Sequence, residues 1–548
     1  MNAGRSAHVD TFARDSLPAQ ESWPTIEFTI DDVRYPRDLN AATALIDAAV
    51  AEHGPDRVCL RTPDGRSWSY GEVLAGANRI AHVLEQDLGL VPGNRVVLRG
   101  PNSPWMAMCW FGVLKAGGIA VSTMHVLRAA ELAPVLEATE AQLALCDERF
   151  VDDLAAAAPG ILPADRIVSF SAADGPGGEA AGDLGRLMAD KPATHTDVET
   201  AADDVALFAP TSGTTGKPKI TVHFHRDILV NADTFARHVL KPVPDDLFTG
   251  SPPLAFTFGL GGLLVFPIRF GASSLLVERA TPVELAELVD EFGVTVLFTA
   301  PTAYRAIVRA EKAELLRGVR RAVSAGEHLP ESVWHEIRDA TGLRLIDGIG
   351  STELLHIFIS AADDDIRPGS TGRPVPGYRA TILDDDGHEL PPGELGRLGV
   401  IGPTGCRYLH GDRQGNYVSQ GWNVTGDTFR RDEDGYFWYE ARSDSMIVSS
   451  GYNIGAPEVE EALAGHRDVV ESAVIGKPDV DRGSIVVAFV VLREGVAGDD
   501  AKRRELQDFV KQTIAPYKYP REIHFAESLP RNPSGKLQHF KLRERLGG

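Results

Sequence analysis

At 548 residues, with 55 Lys plus Arg against 77 Asp plus Glu and a formal charge of −22, the chain is too long for one hydrophobic core, because single cores stop growing near about 250–300 residues. The acidic excess argues against nucleic acid or an anionic membrane as a bulk partner, so an anionic substrate has to be held locally. Four dispersed cysteines, Cys59, Cys109, Cys146 and Cys406, form no CxxC pair; this excludes a cysteine-pair zinc or redox motif and points to reduced, cytoplasmic thiols.

The first residues are polar, with Arg5, Asp10 and Asp15 interrupting any apolar run, and do not read as a signal peptide. Short Val/Ile/Leu/Ala runs bounded by Gly or Pro then alternate with helical patterns, and predict strands at 95–98, 118–122, 143–146, 167–170, 274–277 and 294–298. The most apolar stretch, 254–277, carries Pro267, Arg269 and several glycines, and reads as packed strand and loop, not as a membrane span. This alternation predicts an α/β fold with a large N-terminal lobe of layered sheets and helices in several subdomains. After about Ser443 a short α+β texture follows: a helix at 457–463, strands at 472–475 and 485–492, and a helix at 501–514. Roughly a hundred residues suffice for a separate domain, so the expected division is 1–443 and 444–548.

The strongest chemical signal is Thr211-Ser212-Gly213-Thr214-Thr215-Gly216-Lys217-Pro218-Lys219, directly after the apolar run 205–209. Glycines, hydroxyls and two lysines make a loop able to wrap phosphate oxygens. It is not a Walker A loop: two residues separate its glycines, and Pro218 follows the lysine where Ser or Thr is required. A Gly/Thr turn is the competing reading for a shorter string. His223 and His225, at i and i+2, lack metal-ligand spacing and are expected to open the next helix, with Phe224 or His225 beside the acid site.

The loop resembles the phosphate loop of the adenylate-forming superfamily of acyl-CoA synthetases, adenylation domains and luciferases. Further segments similar to that family's occur in order: Gly350-Ser351-Thr352-Glu353, Thr425-Gly426-Asp427, Arg442-Ser443-Asp444, Gly451-Tyr452-Asn453-Ile454 and Asn532-Pro533-Ser534-Gly535-Lys536. The resemblance spans nearly everything after Val205 and fits the first 200 residues more loosely. It implies an acid activated by ATP with Mg2+ and passed to a thiol, most readily that of CoA. Two half-reactions then use alternate faces of the small domain, which turns about a hinge at Asp444.

Residue chemistry agrees with those roles. Glu353 offers a hard oxygen ligand for Mg2+; Asp427, placed on a Thr-Gly turn, accepts from a ribose diol with Arg442 beside it. Lys536 offsets charge where carboxylate and α-phosphate meet. Lys219 and the loop hydroxyls face the departing pyrophosphate, and Gly326, Glu327, Asp347, Gly348 and Thr352 border the nucleotide. The resemblance further implies that Gly451 and Tyr452 line the CoA passage. The acid site departs from common relatives: Pro253-Leu254-Ala255-Phe256-Thr257-Phe258-Gly259 and Ile349-Gly350, followed by His356, resemble benzoate–CoA and 2-aminobenzoate–CoA ligases. Phe256, Phe258 and Ile349 are expected to shape a flat apolar slot, with Thr257 or His356 reaching an ortho substituent; core packing is the competing role for Phe256. The expected partners are an aryl carboxylic acid, ATP and CoA, with no nucleic acid and no membrane. A homodimer and a separate carrier protein, whose pantetheine would replace CoA, stay open, as does a non-catalytic nucleotide-binding protein.

Overall fold

The computed structural model describes residues 6–171, 182–211, 218–384, 386–411, 413–442, 446–530 and 539–546. Their architecture is α/β, and the predicted strands form. Six strands make the first sheet, in the order Ile167–Phe170, Leu143–Asp147, Arg95–Arg99, Ile119–Thr123, Val205–Thr211, Lys219–Phe224. All neighbours are parallel except the last pair. Arg95–Arg99, Ile119–Thr123 and Leu143–Asp147 are buried throughout, which is why they read as unbroken apolar runs. The helix Pro104–Lys115 is also buried on every side, starting at a Ser103 cap with Pro104 in its first turn. Its one charge, Lys115, is held by Asp47 at 2.6 Å and Asp197 at 2.8 Å.

The second sheet has nine strands and carries the parallel run Ile346–Gly350, Arg321–Ser324, Val296–Thr299, Leu247–Gly250, Ser273–Leu275, Val58–Arg61. A third, antiparallel sheet is built around Leu395–Ile401 and Trp422–Arg431. Beyond it lie the hairpin Met446–Ser449/Tyr452–Gly455 and a three-stranded sheet, Val469–Asp479, Gly483–Leu492 and Glu522–Phe525, covered by Ala456–Ala464 and Asp500–Thr513. This is the predicted α+β unit; the expected boundary between 443 and 444 and the hinge at Asp444 lie outside the described residues.

Two local expectations are corrected. The stretch 254–277 is largely helical, through Thr257–Leu260, Gly261–Val265 and Phe266–Arg269, before the strand Ser273–Leu275. Its glycines are packing residues: a Cβ on Gly259 would lie 2.1 Å from the Pro253 carbonyl oxygen, and one on Gly262 would lie 2.6 Å from the Phe298 ring. Close packing supports helix here despite weak glycine propensity. Thr425-Gly426-Asp427 is part of the ten-residue strand Trp422–Arg431, not a turn; Gly426 adopts φ +77° and the pairing register shifts on either side of it.

Fully buried Asp227 and Arg407, 3.1 Å apart, tie the helix after Lys219–Phe224 to the segment carrying Tyr408. The guanidinium lies 4.3 Å from the Phe224 ring centroid and 4.8 Å from that of Trp23. Asp227→Ala leaves that cation enclosed without its counter-ion and is expected to lower unfolding free energy by about 3–5 kcal/mol. Urea unfolding measures this, and a loss below about 1 kcal/mol would show that the pair does not brace this junction.

Candidate functional site

Parallel pairing sends successive strands out of the second sheet at one edge. Beyond Leu247–Gly250 come Phe256 and Phe258; beyond Val296–Thr299, Ala300 and Thr302; beyond Arg321–Ser324, Gly326 and Glu327; beyond Ile346–Gly350, Ser351 to His356. The carboxyl ends of parallel strands form such a crevice in open α/β sheets. Opposite, Val205–Thr211 and Lys219–Phe224 form the neck of the predicted phosphate loop, with Thr211 paired to Lys219. Ser212, Gly213, Thr214, Thr215, Gly216 and Lys217 lie outside the described residues.

Lys219 Nζ sits 5.6 Å from the Tyr408 ring centroid, and the Tyr408 hydroxyl donates to Glu353 Oε1. His223 Nε2 lies 2.8 Å from the Thr352 carbonyl oxygen. Ser351 Oγ accepts from the Leu354 N–H at 3.3 Å and meets the Tyr417 hydroxyl at 2.9 Å. The turn holding Thr352 and Glu353 is thus tied on both sides. Burial, with the Glu353 carboxylate next in weight, pushes the Tyr408 and Tyr417 phenols well above their usual range, so both stay neutral. Neither tyrosine was singled out from the sequence, where each stands in a segment without a motif. The donor set fits Mg2+, which takes one or two carboxylates and completes its octahedron with phosphate and water: Tyr408 engages only Oε1 of a carboxylate that stands beside the phosphate-loop neck.

On the nucleotide side, Gly326 is exposed at φ +88°. Among the described residues Asp347 Oδ1 is enclosed without a hydrogen-bond partner, and burial pushes this carboxyl well above the usual range; Gly348 follows on the same strand. Asp427 and Arg442 are Cα partners on adjacent antiparallel strands, so the pairing register brings together two positions fifteen apart in sequence. The Asp427 N–H donates to Thr425 Oγ1 at 3.3 Å.

The expected acid side is ringed by aromatics. The buried His356 ring centroid lies 4.6 Å from Phe266, 5.5 Å from Phe235 and 5.6 Å from Phe258. A Cβ on Gly261 would come within 2.5 Å of His356 Cδ2, and one on Gly350 within 2.7 Å of its carbonyl oxygen. Phe258 and Ile349 pack at the border of the core, and Thr257 starts the short helix Thr257–Leu260. Phe256 serves neither competing role fully: half-buried, it turns its ring toward Tyr452, 6.5 Å away. Phe224 and His225 do not border this slot as expected. Phe224 packs on Trp23 and Arg407, and His225 Nδ1 accepts from the Ala41 N–H, because the helix starting at His225 faces the N-terminal layer.

The hairpin loop of the small α+β unit closes on this edge. Gly451, at φ +80°, lies against Gly326 and Ala300, and its N–H donates to the Glu327 carboxyl, which burial pushes up to about 7. Tyr452 stacks on Tyr517 at 4.2 Å. Asp444 and Lys536 lie outside the described residues.

A family model described as AMP-binding enzyme matches residues 47–408, and one described as the AMP-binding enzyme C-terminal domain matches residues 458–536. The chain is 34% identical to a benzoate–CoA ligase of Thauera aromatica, over 93% of this chain and 97% of that protein. It is 32% identical to a 4-hydroxybenzoate–CoA/benzoate–CoA ligase of Rhodopseudomonas palustris, over 93% and 95%. An anthranilate CoA ligase solved in complex with anthranoyl-AMP aligns with TM-score 0.72 at 32% identity, covering 94% of this chain and 99% of that one. A benzoate CoA ligase from Burkholderia xenovorans aligns with TM-score 0.67 at 30%, covering 92% and 100%.

Burial lowers His223 to about 4, and His225 and His356 to about 3, so the folded protein keeps all three neutral. The unfolded chain protonates them below about pH 6.5. Their neutral state therefore costs nothing above that pH and costs stability as pH falls toward 4, by up to about 1.4 kcal/mol per unit for each ring. His356→Leu is expected to gain on the wild type by that slope between pH 6 and 4.5, read from urea unfolding. Parallel stability curves for the two proteins would show that His356 is not held neutral.

Proposed function

From the premise that this chain belongs to the AMP-binding enzyme family, close to the benzoate–CoA ligases, and is an acid–thiol ligase using ATP, Mg2+ and CoA, we propose that its acid is an aryl carboxylate, 2-aminobenzoate ahead of benzoate. The observation that carries this is the aromatic enclosure of Phe258, Phe266, Phe298 and His356 at the edge that also presents Glu353, opposite Lys219 on the first sheet. A planar ring meets ring faces and glycine backbone there, a favourable contact for an aromatic guest and a poor one for a flexible chain. His356 has the Phe258 backbone within reach but without hydrogen-bond geometry, so both ring nitrogens stay unsatisfied. A polar ortho group could partner one of them, with Thr257 the other candidate.

In the first half-reaction a carboxylate oxygen attacks the α-phosphorus, and the bond to the β-phosphate bridge breaks, releasing pyrophosphate. Lys536 is the cation assigned to offset the charge that builds on the phosphoryl oxygens. Lys219, Thr211 and the loop Ser212 to Lys217 hold the departing pyrophosphate. Glu353, oriented by Tyr408, holds Mg2+, which supplies charge neutralisation on the phosphates. Asp427 and Arg442 clasp the ribose, while Gly326, Glu327, Asp347, Gly348 and Thr352 border the base. In the second half-reaction the thiol sulfur attacks the acyl carbon, the bond to AMP breaks and the thiol proton leaves to solvent. Gly451 and Tyr452 line the approach. Residues 1–443 and 444–548 act as the two moving bodies, with Asp444 absorbing the turn. Among the described residues no helix is long and apolar enough to cross a membrane.

ATP–pyrophosphate exchange across benzoate, 2-aminobenzoate, salicylate, cinnamate, hexanoate and octanoate tests the acid. Aryl acids should lead, and His356→Ala should narrow the gap between 2-aminobenzoate and benzoate; hexanoate or octanoate with the highest kcat/KM would end the aryl reading. Lys536→Ala should suppress exchange by about two to three orders of magnitude, the size of other single charge-stabilising groups, while sparing acyl transfer from a supplied adenylate to CoA. Equal loss of both steps would remove the division of labour.

A further inference from the structure

Away from the Gly451 contact, the two expected bodies meet at a buried ion triad. Lys518 Nζ lies 2.6 Å from Glu131 Oε1 and 2.6 Å from Glu458 Oε1, with side chains 4%, 7% and 18% exposed. Glu131 stands in the first turn of the helix Ala129–Thr139 in the large lobe; Lys518 and Glu458 belong to the small unit. Glu131 Oε2 also accepts the Ala515 N–H at 2.7 Å, so one carboxylate grips both the backbone and the side chain of the opposite body.

Each half of this contact is provided for without the other. Lys518 keeps Glu458 as a counter-ion within its own unit. Glu131 keeps the Arg128 N–H at 3.0 Å and a helix N-terminus that favours a carboxylate. Separation therefore strands no lone buried charge, the penalty that makes most buried ion pairs permanent. Tyr517, next to Lys518, stacks on Tyr452, which links the triad to the loop that reaches Phe256 and Glu327. Other contacts between the two bodies are more exposed: Arg305 Nη1 to the Val480 carbonyl oxygen at 2.5 Å, and Arg309 with Asp481.

We propose that Glu131 and Lys518 are positioning residues for acyl transfer, a separable latch that holds the small domain with Gly451 and Tyr452 at the mouth of the acid site. This rests on the two-step reading above. Glu131→Gln and Lys518→Met should each lower the rate of acyl transfer from a supplied acyl adenylate to CoA at least tenfold, leave ATP–pyrophosphate exchange within twofold, and combine without further loss. Equal losses in both half-reactions, or none in transfer, would overturn the latch. A second readout needs no turnover. The four cysteines are buried, so spin labels on Val243→Cys and Val470→Cys, exposed by 46% and 61%, report the distance between the bodies. The latched protein should give one narrow distance population and Glu131→Gln a broadened or shifted one; identical distributions would also overturn the latch. Wild-type protein without exchange on any acid would instead defeat the proposed function, and the label distances would still decide the latch.

Discussion

Four parallel strands, Leu247–Gly250, Val296–Thr299, Arg321–Ser324 and Ile346–Gly350, end at one edge because a parallel ladder returns each chain through a crossover on the sheet's face. That directional constraint collects residues spread over about a hundred positions into one crevice. Phe258, Thr302, Glu327 and Glu353 are neighbours for this reason, with no local motif joining them. The first sheet contributes the phosphate-loop neck from the other side, and the small α+β unit reaches the same edge through Gly451.

Within that crevice the difficulty is electrostatic. An acidic protein has to receive ATP and a carboxylate while carrying a carboxylate of its own, Glu353, near the neck of the expected phosphate loop. The surroundings manage this with neutral donors and few cations. Tyr408 donates to Glu353, Tyr417 meets Ser351, and His223 holds the Thr352 carbonyl, all with burial favouring their uncharged forms. Fixed, water-poor donors hold a carboxylate without cancelling its charge, which leaves it competent to bind a metal. Arg407 and Asp227 neutralise each other one layer back.

On the acid side, glycine substitutes for space. At Gly259, Gly261, Gly262 and Gly350 a methyl group would collide with backbone or ring atoms, so aromatic rings, tilted by 41° to 66° to one another, approach a bare backbone. The same glycines let a helix pass through what reads locally as a breaker-rich segment. At the domain contact the logic reverses: Glu131 and Lys518 are buried yet each retains a partner of its own, an arrangement suited to repeated separation.

The amino-acid sequence by itself determined the α/β class, the central strands, the small α+β unit and the order of the chemical motifs, because buried parallel strands are continuous apolar runs and phosphate loops need glycine and lysine at short range. It also brought forward Glu353, Asp427 and Phe258 as candidates, because their neighbours in sequence carry the pattern. Tertiary structure alone decided that Asp427 lies on a bulged strand opposite Arg442, that 254–277 is helical, that Phe256 faces Tyr452, and that Phe224 and His225 belong to the N-terminal layer. It alone revealed Tyr408, Tyr417 and the Glu131–Lys518–Glu458 triad. Those contacts join residues 55 to 387 positions apart, and long-range packing leaves no periodicity or spacing in the chain from which to read them.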